Sequence, residues 1–264
     1  MGEAIVITSG KGGVGKTTLS ANLGCALALS GSKVLLLDTD IGLRNLDILL
    51  GFEDRIVYDI VDVCHGDCTR EKATITDKRT ENLHFIPASQ AKGKDAVTPL
   101  QMKNLISKAK AEYDYIIIDS PAGLEAGFEN AIAGADRAIV VAVPEMASVR
   151  DADRIMGLLE KQGIDRAELV INRLNMKSVE KGYMLSIEEV LDILSVNLLG
   201  AVPEDDSISF AANNATPCVF DEKSKAGEAY SNIARRIKGE EVPLVNFNNK
   251  KNVFGRIIDA ILNK

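Results

Sequence analysis

Short apolar runs alternate along this chain with longer stretches whose apolar positions recur at helical spacing. The first run, Ala4 to Thr8, is followed by a glycine-rich break and then by TTLSANLGCALALSG. There Leu19, Leu23, Ala26, Leu27 and Leu29 fall mostly on one helical face, and Gly31 is a stop signal. The next run, Lys33 to Leu37, ends at Asp38. Strand, loop, helix, strand is a βαβ unit, which predicts parallel pairing and a right-handed crossover.

The alternation continues. Strands are predicted at 82–87, at 115–118 ending on Asp119, at 137–143, 168–171 and 198–202. Helices are predicted at 100–113, 148–162 and 224–238, and from Ser186 to Leu194, where Ser186-Ile187-Glu188-Glu189 has the form of a capping box. No internal repeat is found. The pattern predicts an α/β fold with a doubly wound, mostly parallel sheet. Ligands of such sheets sit at the carboxyl ends of the strands. Those ends carry SGKGGVGKTT, Asp38-Thr39-Asp40, DSPAG from Asp119, Asn172-Arg173 and VPEDD from Val202.

The glycine-rich break fits two motifs. Gly10, Gly12 and Gly15 spell the dinucleotide fingerprint, and Asp38 stands where an acid would grip a ribose. Gly10, Gly15, Lys16 and Thr17 spell the P-loop. The second reading explains more, because a dinucleotide turn has no use for Lys16 and Thr17. In a P-loop NTPase the main-chain N–H groups of Lys11 to Lys16 wrap the phosphates, Lys16 places a charge on them and the Thr17 hydroxyl ligates Mg²⁺. An acid at the end of another strand completes that site, and Tyr115-Ile-Ile-Ile-Asp119 supplies one. The candidate ATP-binding set is therefore Gly10, Lys11, Gly12, Gly13, Val14, Gly15, Lys16, Thr17 and Thr18, with Thr17 and Asp119 for the metal.

Composition narrows the classes. The net charge of −7 argues against a broad grip on nucleic-acid phosphates, and the absence of Trp against base stacking. No specific nucleic-acid partner is expected. The apolar runs are strand-sized and the N-terminus has no signal-peptide pattern, so a cytoplasmic protein is expected. Cys64-His65-Gly66-Asp67-Cys68 is half of a structural zinc pattern, but the chain has no second half to match it.

The C-terminus departs from this picture. GEEVPLVNFNN, 239–249, is polar and reads as a linker after a domain at 1–238. In 250–264, Val253, Phe254, Ile257, Ile258, Ile261 and Leu262 fill half of a helical wheel. Lys250, Lys251, Arg256 and Lys264 against Asp259 leave a surplus of three positive charges on an otherwise acidic chain. A basic amphipathic segment on an acidic body predicts a helix that lies on an anionic membrane surface.

One residue remains outside the general P-loop pattern, the early Lys11. KGGVGKTT resembles the deviant Walker A motif of the MinD/ParA family of P-loop ATPases, and the resemblance extends along the whole chain. DTDIGLRNLDILLG (38–51) resembles that family's switch I and IIIDSPAGLE (116–125) its switch II. VPEMASVRDADR (143–154) resembles the lead into its partner-binding helix, with Asp151 and Asp153 as candidate contacts. The resemblance implies that Lys11 acts across an ATP-dependent homodimer on the partner's phosphates. It implies that Lys16 and Asp40 take part in hydrolysis, with Asp40 positioning the water. It implies that the loops around Asn172 and Arg173, and Pro203, Glu204 and Asp205, hold the adenine. The branch most similar is the septum-positioning one, which implies a MinC-like inhibitor and a MinE-like activator as partners, on the inner face of the cell membrane. The flagellar-number-regulating and ParA-like DNA-segregation branches are the alternatives. The iron-protein branch needs paired cysteines that this chain lacks in the required places, and the Mrp branch a C-x-x-C that is absent.

Overall fold

The computed structural model describes residues 1–123 and 126–247. The amphipathic segment 250–264, with the six apolar positions assigned to the membrane, lies outside the described residues.

Among the described residues eight strands form one sheet: β1 (Glu3–Thr8), β2 (Val34–Asp38), β3 (Ile75–Thr76), β4 (Leu83–Ile86), β5 (Tyr115–Asp119), β6 (Arg137–Ala142), β7 (Ala167–Leu174) and β8 (Leu198–Pro203). Their order is β3-β4-β2-β5-β1-β6-β7-β8. Every pairing is parallel except β3 with β4 at one edge. The helices are α1 (Lys16–Leu29), α2 (Leu46–Leu50), α3 (Ile60–His65), α4 (Arg70–Ala73), α5 (Pro99–Ala109), α6 (Ala126–Ile132), α7 (Met146–Lys161), α8 (Met176–Glu180), α9 (Ile187–Leu194), α10 (Asp206–Asn213) and α11 (Lys225–Ile237).

A strand buried on both faces sends alternate side chains into two cores. Leu35, Leu37, Val6, Ile116 and Ile118 face a core shared with α3, α5, α6, α7 and α9. Leu36, Ile5, Ile7 and Ile117 face a second core shared with α1, α2 and α11. This is the doubly wound sheet that the sequence predicts. Helix α1 is buried nearly all round, because β1 and β2 lie on one side of it and α11 on the other.

Two boundaries differ from the sequence expectation. Helix α5 ends at Ala109 rather than Tyr113, because the Lys110 carbonyl accepts from the N–H of Gly2 at 2.8 Å and turns the chain toward β5. Strand β7 runs beyond Ile171 to Leu174, since β8 stays beside it across a register shift. Residues 239–247 hold no helix or strand, yet they lie on the body. Val242 and Val245 are buried, and Phe247 packs against both cores. Arg236 donates from Nε and Nη2 to the Val242 carbonyl and from Nη1 to that of Leu199.

Candidate active site

β1 stops at Thr8, and the loop 9–15 climbs over the carboxyl edge of the sheet into α1. Gly13 has φ +77° and Gly15 φ +102°, backbone states that L side chains rarely adopt. Two glycines are also required for closeness. A Cβ on Gly10 would stand 2.5 Å from both Cβ and the carbonyl oxygen of Asp151 in α7, and one on Gly15 would stand 2.2 Å from Asn172 Nδ2. Among the described residues no main-chain N–H from Gly10 to Gly15 donates a hydrogen bond. A run of unused N–H groups at a helix N-terminus is an anion-binding concavity.

The two lysines differ sharply. Lys16 is 7 % exposed, and burial lowers its pKa while the charges of Asp119 and Asp40 oppose that shift. Lys11 is exposed, and among the described residues its ammonium has no hydrogen bond or ion pair.

Three acids stand on the rim. Asp119 ends β5 and Asp38 ends β2, side by side in register. Asp119 accepts from Ser20 Oγ at 2.8 Å and from the Thr17 hydroxyl. Burial pushes its pKa up to about 6, against those hydroxyls and Lys16. Asp38 is fully buried, and its pKa is pushed up to about 7 by that burial and by the Asp119 charge. Its two oxygens take the N–H of Asp40 at 2.9 Å and of Leu46 at 3.3 Å, so it frames the loop 40–45 from below. It is not placed to reach a ribose. Sequence reasoning missed both this framing acid and the Ser20 contact. The one signal for Asp38 was its place at a strand end. Asp40 is half-buried, and burial raises its pKa against the opposing charges of Lys94 and Lys16.

The far side of the loop is braced by β7. Asn172 Nδ2 donates to the Val14 carbonyl at 2.8 Å, and Arg173 Nη2 donates to that of Gly13 at 2.8 Å. Arg173 holds φ +58° to do so. Both residues thus touch the phosphate loop itself. Asn172 Oδ1 is buried without a hydrogen-bond partner. At the end of β8, Glu204 accepts from Asn175 Nδ2 at 2.7 Å. The Asp205 carboxylate takes the N–H groups of Ser207 and Ala226 at 2.9 and 3.0 Å. Burial alone would raise its pKa, but these hydrogen bonds hold it below the usual carboxylate value. This side chain is used within the fold, so at Asp205 the main chain is what is left for a ligand. Thr18 lies in the first turn of α1, where its carbonyl accepts from Asn22. Asp151 and Asp153 lie on α7, Asp153 exposed and Asp151 with its backbone against Gly10.

An unused run of main-chain donors, a buried lysine, a hydroxyl beside a strand-end acid and an unused amide acceptor together fit a nucleoside phosphate with a divalent cation. Fold and loop define a P-loop ATPase of the deviant Walker A type.

A family profile described as an AAA domain matches residues 2–171. The septum site-determining protein MinD of Bacillus subtilis (strain 168) is 54% identical over 246 residues, which is 92% of each chain. The MinC:MinD cell division protein complex of Aquifex aeolicus contains a chain that superimposes with a TM-score of 0.87 at 47% identity, covering 92% of this chain and 98% of that one. MinD from Pyrococcus horikoshii OT3, complexed with Mg-ADP, superimposes with a TM-score of 0.81 at 32% identity over 90% of this chain and 96% of its own. The chain belongs to the MinD family of septum site-determining proteins, and it is an ATPase.

Proposed function

We propose that this protein is an ATP-operated switch that dimerises on ATP, holds the inner face of the cell membrane through its C-terminal helix, and there recruits a MinC-type inhibitor to place the division septum. The observation that carries the reading is the contrast between the two lysines. Lys16 is buried against its own acids, so it serves the nucleotide in its own loop. Lys11 is exposed, and among the described residues nothing answers its charge, as suits a group meant for a second subunit. A positive charge supplied in trans stabilises phosphoryl transfer only when two subunits meet.

The residues take roles accordingly. The N–H groups of Gly10 to Gly15 and the Lys16 ammonium hold the phosphates. Thr17 and Asp119 hold Mg²⁺, which when bound supplies the positive charge that balances the phosphate oxygens. Asp40, at the head of the framed loop, positions the attacking water. Asn172 offers its free carbonyl to the amino group of adenine, and the main chain of Pro203, Glu204 and Asp205 lines the base. The framing of 40–45 by Asp38 supports the role of Asp40, because a fixed loop positions water better than a free one. The P. horikoshii relative with Mg-ADP supports the ligand pair, and the A. aeolicus complex supports the partner. A MinE-type activator would act on the same dimer.

The membrane step follows from avidity. One short amphipathic helix binds weakly, since it must be ordered as it inserts. Two on one dimer bind about a hundredfold more tightly or better. Lys16→Ala is expected to abolish ATP binding, measured by titration with a fluorescent analogue; retained tight binding contradicts the P-loop assignment. Asp40→Ala is expected to bind ATP and hydrolyse it poorly; wild-type turnover removes Asp40 from its role.

A further inference from the structure

Arg79 sits outside the nucleotide site, on the loop between β3 and β4, and makes more polar contacts than an ordinary surface arginine needs. Its Nε donates to Asp77 Oδ1 and Oδ2 at 2.9 and 3.1 Å, and Nη2 donates to Asp77 Oδ2 at 2.7 Å. Asp77 is almost fully buried, so the carboxylate aims the guanidinium rather than solvating it. The fork then reaches two carbonyls. Nη2 donates to Leu50 O at 2.9 Å and Nη1 to Ala215 O at 3.1 Å. Its Cζ lies over the ring of Phe220, 5.0 Å from the centroid.

Those two carbonyls belong to the far ends of two elements that begin at the nucleotide site. Leu50 is the last residue of α2, which continues the Asp38-framed loop of Asp40. Ala215 follows α10, which starts from the Asp205 cap at the end of β8. The two ends also touch directly, Gly51 lying so close that a Cβ there would stand 3.2 Å from that of Ala215. The guanidinium satisfies the orphan carbonyl at the end of α2 and one just beyond the end of α10, and a cation there suits the dipoles of both helices.

We propose that Arg79 is a positioning residue for hydrolysis: it locks α2 to the segment after α10, so that the switch I loop and the base-side loop move as one and Asp40 stays in register with the phosphates. This rests on the reading of Asp40 given above. Arg79 touches neither the phosphate loop nor Lys16, so its loss should leave the grip on nucleotide intact while turnover falls. A displacement of a positioned group by about 1 Å is enough for large rate losses.

The test compares Arg79→Gln and Arg79→Lys with wild type in steady-state ATPase assays, with affinity for a fluorescent ATP analogue measured alongside. Arg79→Gln is expected to lower kcat roughly tenfold with Kd changed less than about twofold. Arg79→Lys is expected to recover part of kcat, because an ammonium reaches one carbonyl but cannot span two. Wild-type kcat with only a lowered Tm overturns the proposal, as does a loss of affinity in step with kcat. If Arg79→Gln does not fold, Asp77→Asn decides: the fork stays but loses its aim, kcat should fall with Kd unchanged, and unchanged kcat overturns the proposal. An Asp40→Ala arm separates the two readings. Normal turnover there defeats the role of Asp40, whereas a dead Asp40→Ala beside a fully active Arg79→Gln defeats only the link through Arg79.

Discussion

At the residue scale, the site is built from groups that would be costly anywhere else. Gly15 combines a left-handed backbone with an Asn172 amide 2.2 Å from where a Cβ would stand. Gly15→Ala is therefore expected to cost about 1–2 kcal/mol or more in stability and to weaken nucleotide binding, by urea unfolding and ligand titration. The buried pair Asp38 and Asp119 makes a second prediction. Both carboxyls have folded pKa values above that of an unfolded aspartate, about 7 and about 6. Between the unfolded value near 4 and these folded values the native state binds more protons than the unfolded one, so the contribution of the pair to stability falls as pH rises through that window. Ligand-free protein should thus lose Tm from this pair between pH 4 and pH 7 and show no further change from it above that. The readout is calorimetry across the range, and Asp38→Asn should flatten the slope. A wild-type slope in that variant removes the pair as the cause.

At the element scale, what matters is how closely α1 lies on the sheet, because α1 carries Lys16 and Thr17. Gly24 sets that approach: a Cβ there would stand 2.6 Å from Leu36 Cδ2. Gly24→Val is expected to destabilise by about 1–3 kcal/mol through overpacking, read as a shift in the urea midpoint. Elements of this kind were legible in the sequence, since long apolar periods and strand-end acids announce themselves. The Ser186–Glu189 capping box opens α9 where the motif predicts. The short pieces were not legible. Helices α2, α4 and α8 have four or five residues, too few for a helical period, and β3 has two. Their places are set by distant partners, such as Arg79 on Leu50 and Ala215, that no local pattern records. In the site the phosphate loop and Asp119 were legible as motifs. The framing by Asp38 and the brace from Asn172 and Arg173 were not, because they depend on which strands end side by side.

At the scale of the whole molecule, the phosphate loop and the amphipathic segment lie at opposite ends of the chain. No helix among the described residues is long and apolar enough to cross a membrane. The body nonetheless fixes the chain up to Phe247, by burying Val242 and Val245 and by the hydrogen bonds of Arg236 to the Val242 carbonyl. In the dimer proposed above, that anchoring would fix where the described part of each subunit ends, so that pairing two subunits would bring two tails together. In the function proposed above, Lys11 joins nucleotide state to pairing, and pairing to location. Sedimentation with vesicles of anionic lipid tests it most directly, with wild type, Lys11→Ala and a chain ending at Asn249, each with ATP and with ADP. Wild type is expected to pellet with ATP and little with ADP, and neither variant to pellet in either state. ATP-dependent pelleting by Lys11→Ala would contradict it.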